Sequence, residues 1–168
     1  MPLCACGRRC ACRPLQKVAR DGQHTGAFEY VERSKLAPGT KIHGCRWVLK
    51  PRTSPSAWKA RITLQGFTQR AGIDFKETFA PTLRTSSLLH LCALAARRGV
   101  RIRHFDAVAA FLNAKLEPDV NLYMRQPEGF STGDDRVIRL LRALYGARQS
   151  GHLWNKDLHG FILSLGFV

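Results

Sequence analysis

An α+β fold is what this sequence predicts, and three observations carry the prediction. The runs KIHGCRWVLK (41–50) and WKARITLQGF (58–67) are β-rich, the second alternates apolar with polar residues, and they are spaced as an antiparallel hairpin. Two longer segments, 85–99 and 150–165, repeat their apolar residues every three or four positions, as helices do. With 168 residues, 45% hydrophobic and 23% charged, the chain falls in the range of one globular domain, which excludes a disordered tail or a fibrous repeat.

No apolar run reaches the roughly 18 residues of a membrane span. The opening MPLCACGRRCACRP puts arginines where a signal peptide has its apolar stretch, so the expected location is intracellular. The formal charge of +15 is uneven: residues 1–70 hold 14 Lys+Arg against three Asp+Glu, a net of +11. Such a surplus suits a polyanionic partner, most often nucleic acid, the alternative being a solvated basic surface. Cys4, Cys6, Cys10 and Cys12 crowd into C-x-C-x3-C-x-C, whereas structural zinc sites use C-x2-C pairs separated by a longer loop. The expected arm is therefore reduced and unstructured, its cysteines incidental.

Taken in order, residues 1–40 show no sustained period and are punctuated by Pro14, Gly22, Gly26 and Pro38-Gly39, which predicts an arm and linker ahead of a domain spanning 41–168. The domain opens with the hairpin, in whose second strand Ala60, Ile62 and Leu64 alternate with Arg61, Thr63 and Gln65. A helix follows over TSSLLHLCALAARRG, with Leu88, Leu91, Cys92 and Ala95 on one stripe and Gly99 as its stop. VRIRHFDA reads as a short strand running into a helix over AVAAFLNAKL, so Asp106 is expected at a strand-to-helix junction. VNLYMRQ and RVIRLLR read as two further strands, and the last helix turns Leu153, Trp154, Asp157, Leu158, Phe161, Ile162 and Leu165 inward.

Five blocks in order then carry a resemblance: KARITLQGFTQ (59–69), GIDFKETFAPTLR (72–84), DAVAAFLN (106–113), YMRQPEGF (123–130) and RALYGARQS (142–150). Together they resemble the copia-type retrotransposon reverse transcriptase, whose usual forms are KARLVAKGFTQ, GIDYxETFAPVxR, DVxxAFLNG, VYMxQPEGF and LYGLKQAPRxW. The resemblance covers roughly 41–168 and leaves the Cys-rich arm unexplained.

It implies the fingers and first half of the palm of a right-hand polymerase, and the transfer of deoxynucleotides to a primer 3′-hydroxyl on an RNA or DNA template. Such chemistry uses two Mg²⁺ ions, with Mn²⁺ as a substitute, held by converging carboxylates. Asp106 matches the family's first metal-binding catalytic aspartate; without the surrounding block it would read as a helix N-cap. Phe111 occupies the aromatic position beside the sugar, where a ring excludes a 2′-hydroxyl, or else it is an ordinary core residue. Arg61 aligns with the fingers arginine that grips the incoming triphosphate, and Lys59 lies on the same strand face. Tyr145, Gly146 and Gln149 match the block expected near nucleotide and template, while Trp154 is expected in the core.

The family's Tyr-Val-Asp-Asp hairpin, which supplies the remaining carboxylates, is not among these residues; Asp134-Asp135 reads instead as a solvated turn. With one carboxylate the second cation is not expected to be held, so the chain alone is expected to polymerise nothing. Gln65, Ala114 and Gly151 stand where the family has Lys, Gly and Pro, which suggests relaxed constraint. A non-enzymatic basic nucleic-acid-binding module and a non-functional translated remnant are the alternative readings.

Overall fold

The strands of the chain gather into two sheets among the described residues. In the computed structural model the described residues are 26–51, 58–129 and 134–167. The Cys4/Cys6/Cys10/Cys12 arm and residues 130–133 lie outside them.

The main sheet has four strands in the order β1-β6-β5-β2: β1 (Phe28–Glu32), β6 (Arg136–Leu140), β5 (Leu122–Met124) and β2 (Ile42–His43). β1 and β5 both run antiparallel to β6, with Phe28 and Leu122 opposite Leu140. β2 runs parallel to β5, pairing Ile42 with Tyr123. The second sheet is the expected hairpin of β3 (Cys45–Pro51) and β4 (Trp58–Leu64).

The core follows from the side chains these strands turn inward. Leu122, Met124, Ile138 and Leu140 from the main sheet meet Leu64 at the end of β4 and Leu144 and Ala147 from the segment beyond β6, with Phe28, Tyr30 and Ile62 packed around them. Hence the base of the hairpin is fastened to the main sheet. A smaller cluster of Ala114, Ala143 and Leu153, flanked by Phe111 and Trp154, joins α2 (Ala110–Asn113) to α3 (Ser150–Ser164). Backbone bonds from Leu116 to Leu141 and from Ala143 to Ala114 tie this layer down at 3.1 and 2.9 Å.

Several expectations need correction. The expected linker does not extend to residue 40: Ala27 is only 2% exposed and β1 is an edge strand of the main sheet. Its partner β6 lies near the far end of the chain, so no local turn signal announces the pairing. The helix over AVAAFLNAKL contracts to the single turn of α2, entered through Ala109 in the left-handed region at φ 53°. Residues 100–107 form no strand. Their alternation has no partner ladder among the described residues, and an isolated strand leaves its backbone bonds unmade.

Helix α1 (Thr85–Arg98) forms as expected and ends at Gly99 in the left-handed conformation, but Ala95 is its one buried residue. Leu88, Leu91 and Cys92 of its apolar stripe are exposed, and no strand or helix among the described residues packs extensively against it. In α3 the inward stripe holds for Leu153 and Trp154 and then fails, because Phe161, Ile162 and Leu165 are exposed. None of the described helices is long and apolar enough to cross a membrane.

Candidate functional site

Cross-strand register puts the cations of the hairpin on one face. Lys50 stands opposite Lys59, Val48 opposite Arg61 and Arg46 opposite Thr63, so this face carries Arg46, Lys50, Lys59 and Arg61 with no acidic residue. Like charges directly opposite one another destabilise a pair of strands, so Lys50 and Lys59 cost the hairpin stability that an anionic ligand would restore.

Arg61 reaches toward the main sheet. Its guanidinium carbon lies 5.6 Å from the centroid of the Tyr145 ring, a cation–π contact, and Phe111 meets the same ring edge-on with centroids 4.8 Å apart at 62°. Arg61, Phe111 and Tyr145, singled out separately in the sequence, therefore form one half-buried cluster drawn from β4, α2 and the segment after β6. Lys59 is exposed two residues further along β4.

Close backbone approach holds this cluster together. Leu64 N–H donates to Tyr145 C=O at 2.8 Å, docking the 144–147 segment on the end of β4. Gly146 has φ 88°, and a Cβ there would run into the Leu64 carbonyl and the Thr63 methyl. Across the same contact a Cβ on Gly66 would strike the Gly146 carbonyl. Both positions accept only hydrogen, which is a physical reason for the glycines in QGF and LYG.

Gln149, expected to face a nucleotide, lies instead inside the protein at 5% exposure. Its Oε1 accepts from Gln69 Nε2 at 3.0 Å and its Nε2 donates to Asp74 C=O at 3.1 Å. Gln69, 7% exposed, in turn accepts the Arg148 N–H through its Oε1 at 2.9 Å. Arg148 Nε donates to Gly66 C=O at 3.1 Å, its guanidinium over the Phe75 ring. Sequence reading passed over Gln69, Asp74 and Arg148; all three lie in quoted blocks, but nothing local says that Gln69 and Asp74 meet Gln149.

A buried histidine was also missed. His43 is 1% exposed; its Nδ1 lies 2.7 Å from the Thr68 hydroxyl, which itself donates to Gln65 C=O at 2.8 Å. The Thr68 oxygen is therefore the acceptor and Nδ1 carries the proton. Nε2 is left as a bare lone pair without a hydrogen-bond partner, 3.8 Å from Asp74 Oδ2. Burial holds the imidazole below its ordinary pKa, with Lys41 and Arg70 acting in the same direction and Asp74 opposing. The Asp74 carboxylate is engaged by Arg70, whose N–H donates to Oδ2 at 2.7 Å.

Asp106 lies exposed in the irregular 100–107 segment beside Phe105, which is 92% exposed. The strand-to-helix junction expected to present it is missing, because the strand before it does not form. Among the described residues no group of three or more His, Cys, Asp or Glu side chains converges as metal ligands do. Asp134 and Asp135 are exposed and ion-paired, with Arg136 at 2.5 Å and Arg33 at 3.7 Å. Trp154 flanks the smaller core cluster.

Residues 28–168 match the family described as reverse transcriptase (RNA-dependent DNA polymerase). The chain is 37% identical over 137 residues to the retrovirus-related Pol polyprotein from transposon RE2 of Arabidopsis thaliana, covering 78% of this chain and 9% of that protein. For transposon RE1 of the same plant the identity is 38% over 133 residues, 76% of this chain and 9% of the relative. For transposon TNT 1-94 of Nicotiana tabacum it is 32% over 162 residues, 93% and 12%. The chain thus spans about a tenth of the length of the curated relatives it matches. No solved structure matches it significantly. With a family match that begins at β1, runs through every strand and helix described above and includes the Arg61–Tyr145–Phe111 cluster, the chain belongs to the reverse transcriptase (RNA-dependent DNA polymerase) family of copia-type retrotransposon Pol polyproteins.

Proposed function

We propose that this chain is the fingers and first half of the palm of a right-hand retrotransposon reverse transcriptase, and that it supplies the nucleotide-facing side of the site. The single observation that carries the reading is the Arg61 guanidinium set against Tyr145, with Phe111 closing the other edge of that ring. A guanidinium on an acid-free strand face offers forked donors to a triphosphate, and Lys59 adds a second cation on that face. The aromatic pair offers a surface for the base and sugar, and Gly146 allows close backbone approach. Template and primer would meet the remaining cations, Arg46 and Lys50.

Reverse transcriptases use divalent cations, Mg²⁺ or Mn²⁺, to activate the attacking hydroxyl and offset charge on the phosphates. The described residues do not fit a complete two-cation centre: Asp106 is the family's first ligand by position, and no cluster of candidate ligands gathers among them. The polypeptide by itself is therefore proposed to bind nucleotide without transferring it. Primer extension with Mg²⁺ or Mn²⁺ should give no product from the isolated 168 residues, whereas incorporation abolished by Asp106→Asn would overturn the proposal.

A second reading, a basic module that binds nucleic acid without chemistry, rests on the same hairpin face. It predicts affinity for single-stranded RNA falling with salt at a log–log slope of about −0.7 per phosphate neutralised, and no preference for a nucleoside triphosphate. A translated remnant without function would instead lack a cooperative unfolding transition.

A further inference from the structure

The Tyr145-Gly146 turn, on which the proposed nucleotide surface depends, buries little side chain of its own. Tyr145 is only half buried, and Gly146 has no side chain to pack. Leu144 and Ala147 anchor its two ends in the core, Leu64 adds one backbone bond, and a buried chain of amides ties the following residues to the 65–75 loop.

We infer that Gln69 and Gln149 are positioning residues, a buried amide pair that locks the 65–75 loop to the 145–150 segment and so sets Tyr145 against Arg61. This rests on the nucleotide-facing reading of that cluster. Every bond of the pair has a defined direction. Gln69 uses its NH2 on Gln149 and its oxygen on the Arg148 N–H. Gln149 uses its oxygen on Gln69 and its NH2 on the Asp74 carbonyl. Reversing either amide would set oxygen against oxygen or N–H against N–H, so the orientation of each side chain is fixed by the other.

The surroundings make the pair a lock and more than filling. Both side chains are over nine-tenths buried, where an unpaired amide is costly, so the two segments cannot part without stranding polar groups. Two flanking contacts brace the same junction: Arg148 Nε on the Gly66 carbonyl, and the Gly66 to Gly146 backbone approach. Asp74, whose carbonyl receives Gln149, closes its own turn by accepting the Arg70 N–H on its carboxylate. The lock thus runs from that turn to within three residues of Tyr145. Neither glutamine sits where a ligand would touch it, so both act through Tyr145.

The test labels the protein with 3-fluorotyrosine, which reports Tyr30, Tyr123 and Tyr145 as separate fluorine resonances, Tyr145 being assigned by Tyr145→Phe. Gln149→Leu and Gln69→Leu keep the volume and remove the amide. Each should shift or broaden the Tyr145 resonance while leaving Tyr30 and Tyr123 in place, and should weaken binding of a deoxynucleoside triphosphate by about tenfold. A folded variant whose Tyr145 resonance matches the wild type would overturn the inference. Should both variants unfold, the wild type still decides it: the side-chain amide protons of Gln69 and Gln149 should exchange with solvent far more slowly than those of the half-buried Gln65, and equal rates would refute the lock. Failure of the wild type to bind nucleotide would count against the proposed function alone, since the fluorine shifts and exchange rates read the lock without ligand.

Discussion

Replacing Gly146 by Ala perturbs the junction on which the nucleotide-facing cluster depends. The residue has φ 88°, and the added methyl would run into the Leu64 carbonyl, a backbone atom that cannot rotate away. The left-handed conformation costs a residue with a Cβ about 1–2 kcal/mol. Relieving the clash requires the 144–147 segment to lift from β4, which gives up the Leu64 N–H to Tyr145 C=O bond, about 1 kcal/mol net. Alanine also stiffens the unfolded chain, which offsets about 0.5–1 kcal/mol of the loss. The net expectation is a destabilisation of about 2 kcal/mol, read as a lowered midpoint in urea unfolding followed by circular dichroism. Gly160→Ala is the control: it lies in α3 with open space around the added Cβ and should stabilise by about 0.5–1 kcal/mol. A Gly146→Ala protein within about 0.5 kcal/mol of wild type would refute the close-approach reasoning.

Leu122→Ala, at a fully buried position in the main core, should cost about 2–5 kcal/mol in the same assay, and a loss below 1 kcal/mol would mean that the core is not centred there. His43 gives a pH dependence of definite sign: burial depresses its folded pKa, so the unfolded chain takes up the proton first. Its contribution to stability is therefore complete above the unfolded value near 6.5 and is lost as pH falls below it toward the folded pKa. The unfolding midpoint should fall between pH 7.5 and 5.5, and the slope should flatten in His43→Leu; an unchanged slope would remove His43 as its source. Burial, with Glu128 nearby, pushes the Cys45 thiol up to about 11, whereas Cys92 is exposed on α1. Brief alkylation at pH 8 followed by peptide mapping should modify Cys92 and spare Cys45, and equal labelling would contradict the burial.

Local chemistry was legible wherever a structural unit closes on itself. The β3–β4 hairpin, β5, β6, α1 and α3 all form near the positions their periodicity and turn residues indicate, because each is specified by neighbours in sequence. What failed depended on distant partners. β1 belongs to the sheet through β6, and residues 100–107 have the alternation of a strand but no ladder to join among the described residues. The candidate site divides in the same way. Arg61 and Lys59 could be placed on one strand face from alternation alone, but the meeting of Arg61, Phe111 and Tyr145 requires three elements to pack. Gln149 shows the limit most clearly: its block marks it as part of the site region, yet only the packed structure shows both ends of its amide used internally.

Titration of a deoxynucleoside triphosphate into the fluorotyrosine-labelled chain, wild type against Arg61→Gln, tests the central claim most directly. Saturable movement of the Tyr145 resonance, with affinity reduced about tenfold or more in the variant, is what the Arg61–Tyr145–Phe111 cluster predicts. A Tyr145 signal that stays fixed at millimolar nucleotide, or moves equally in both proteins, would contradict it.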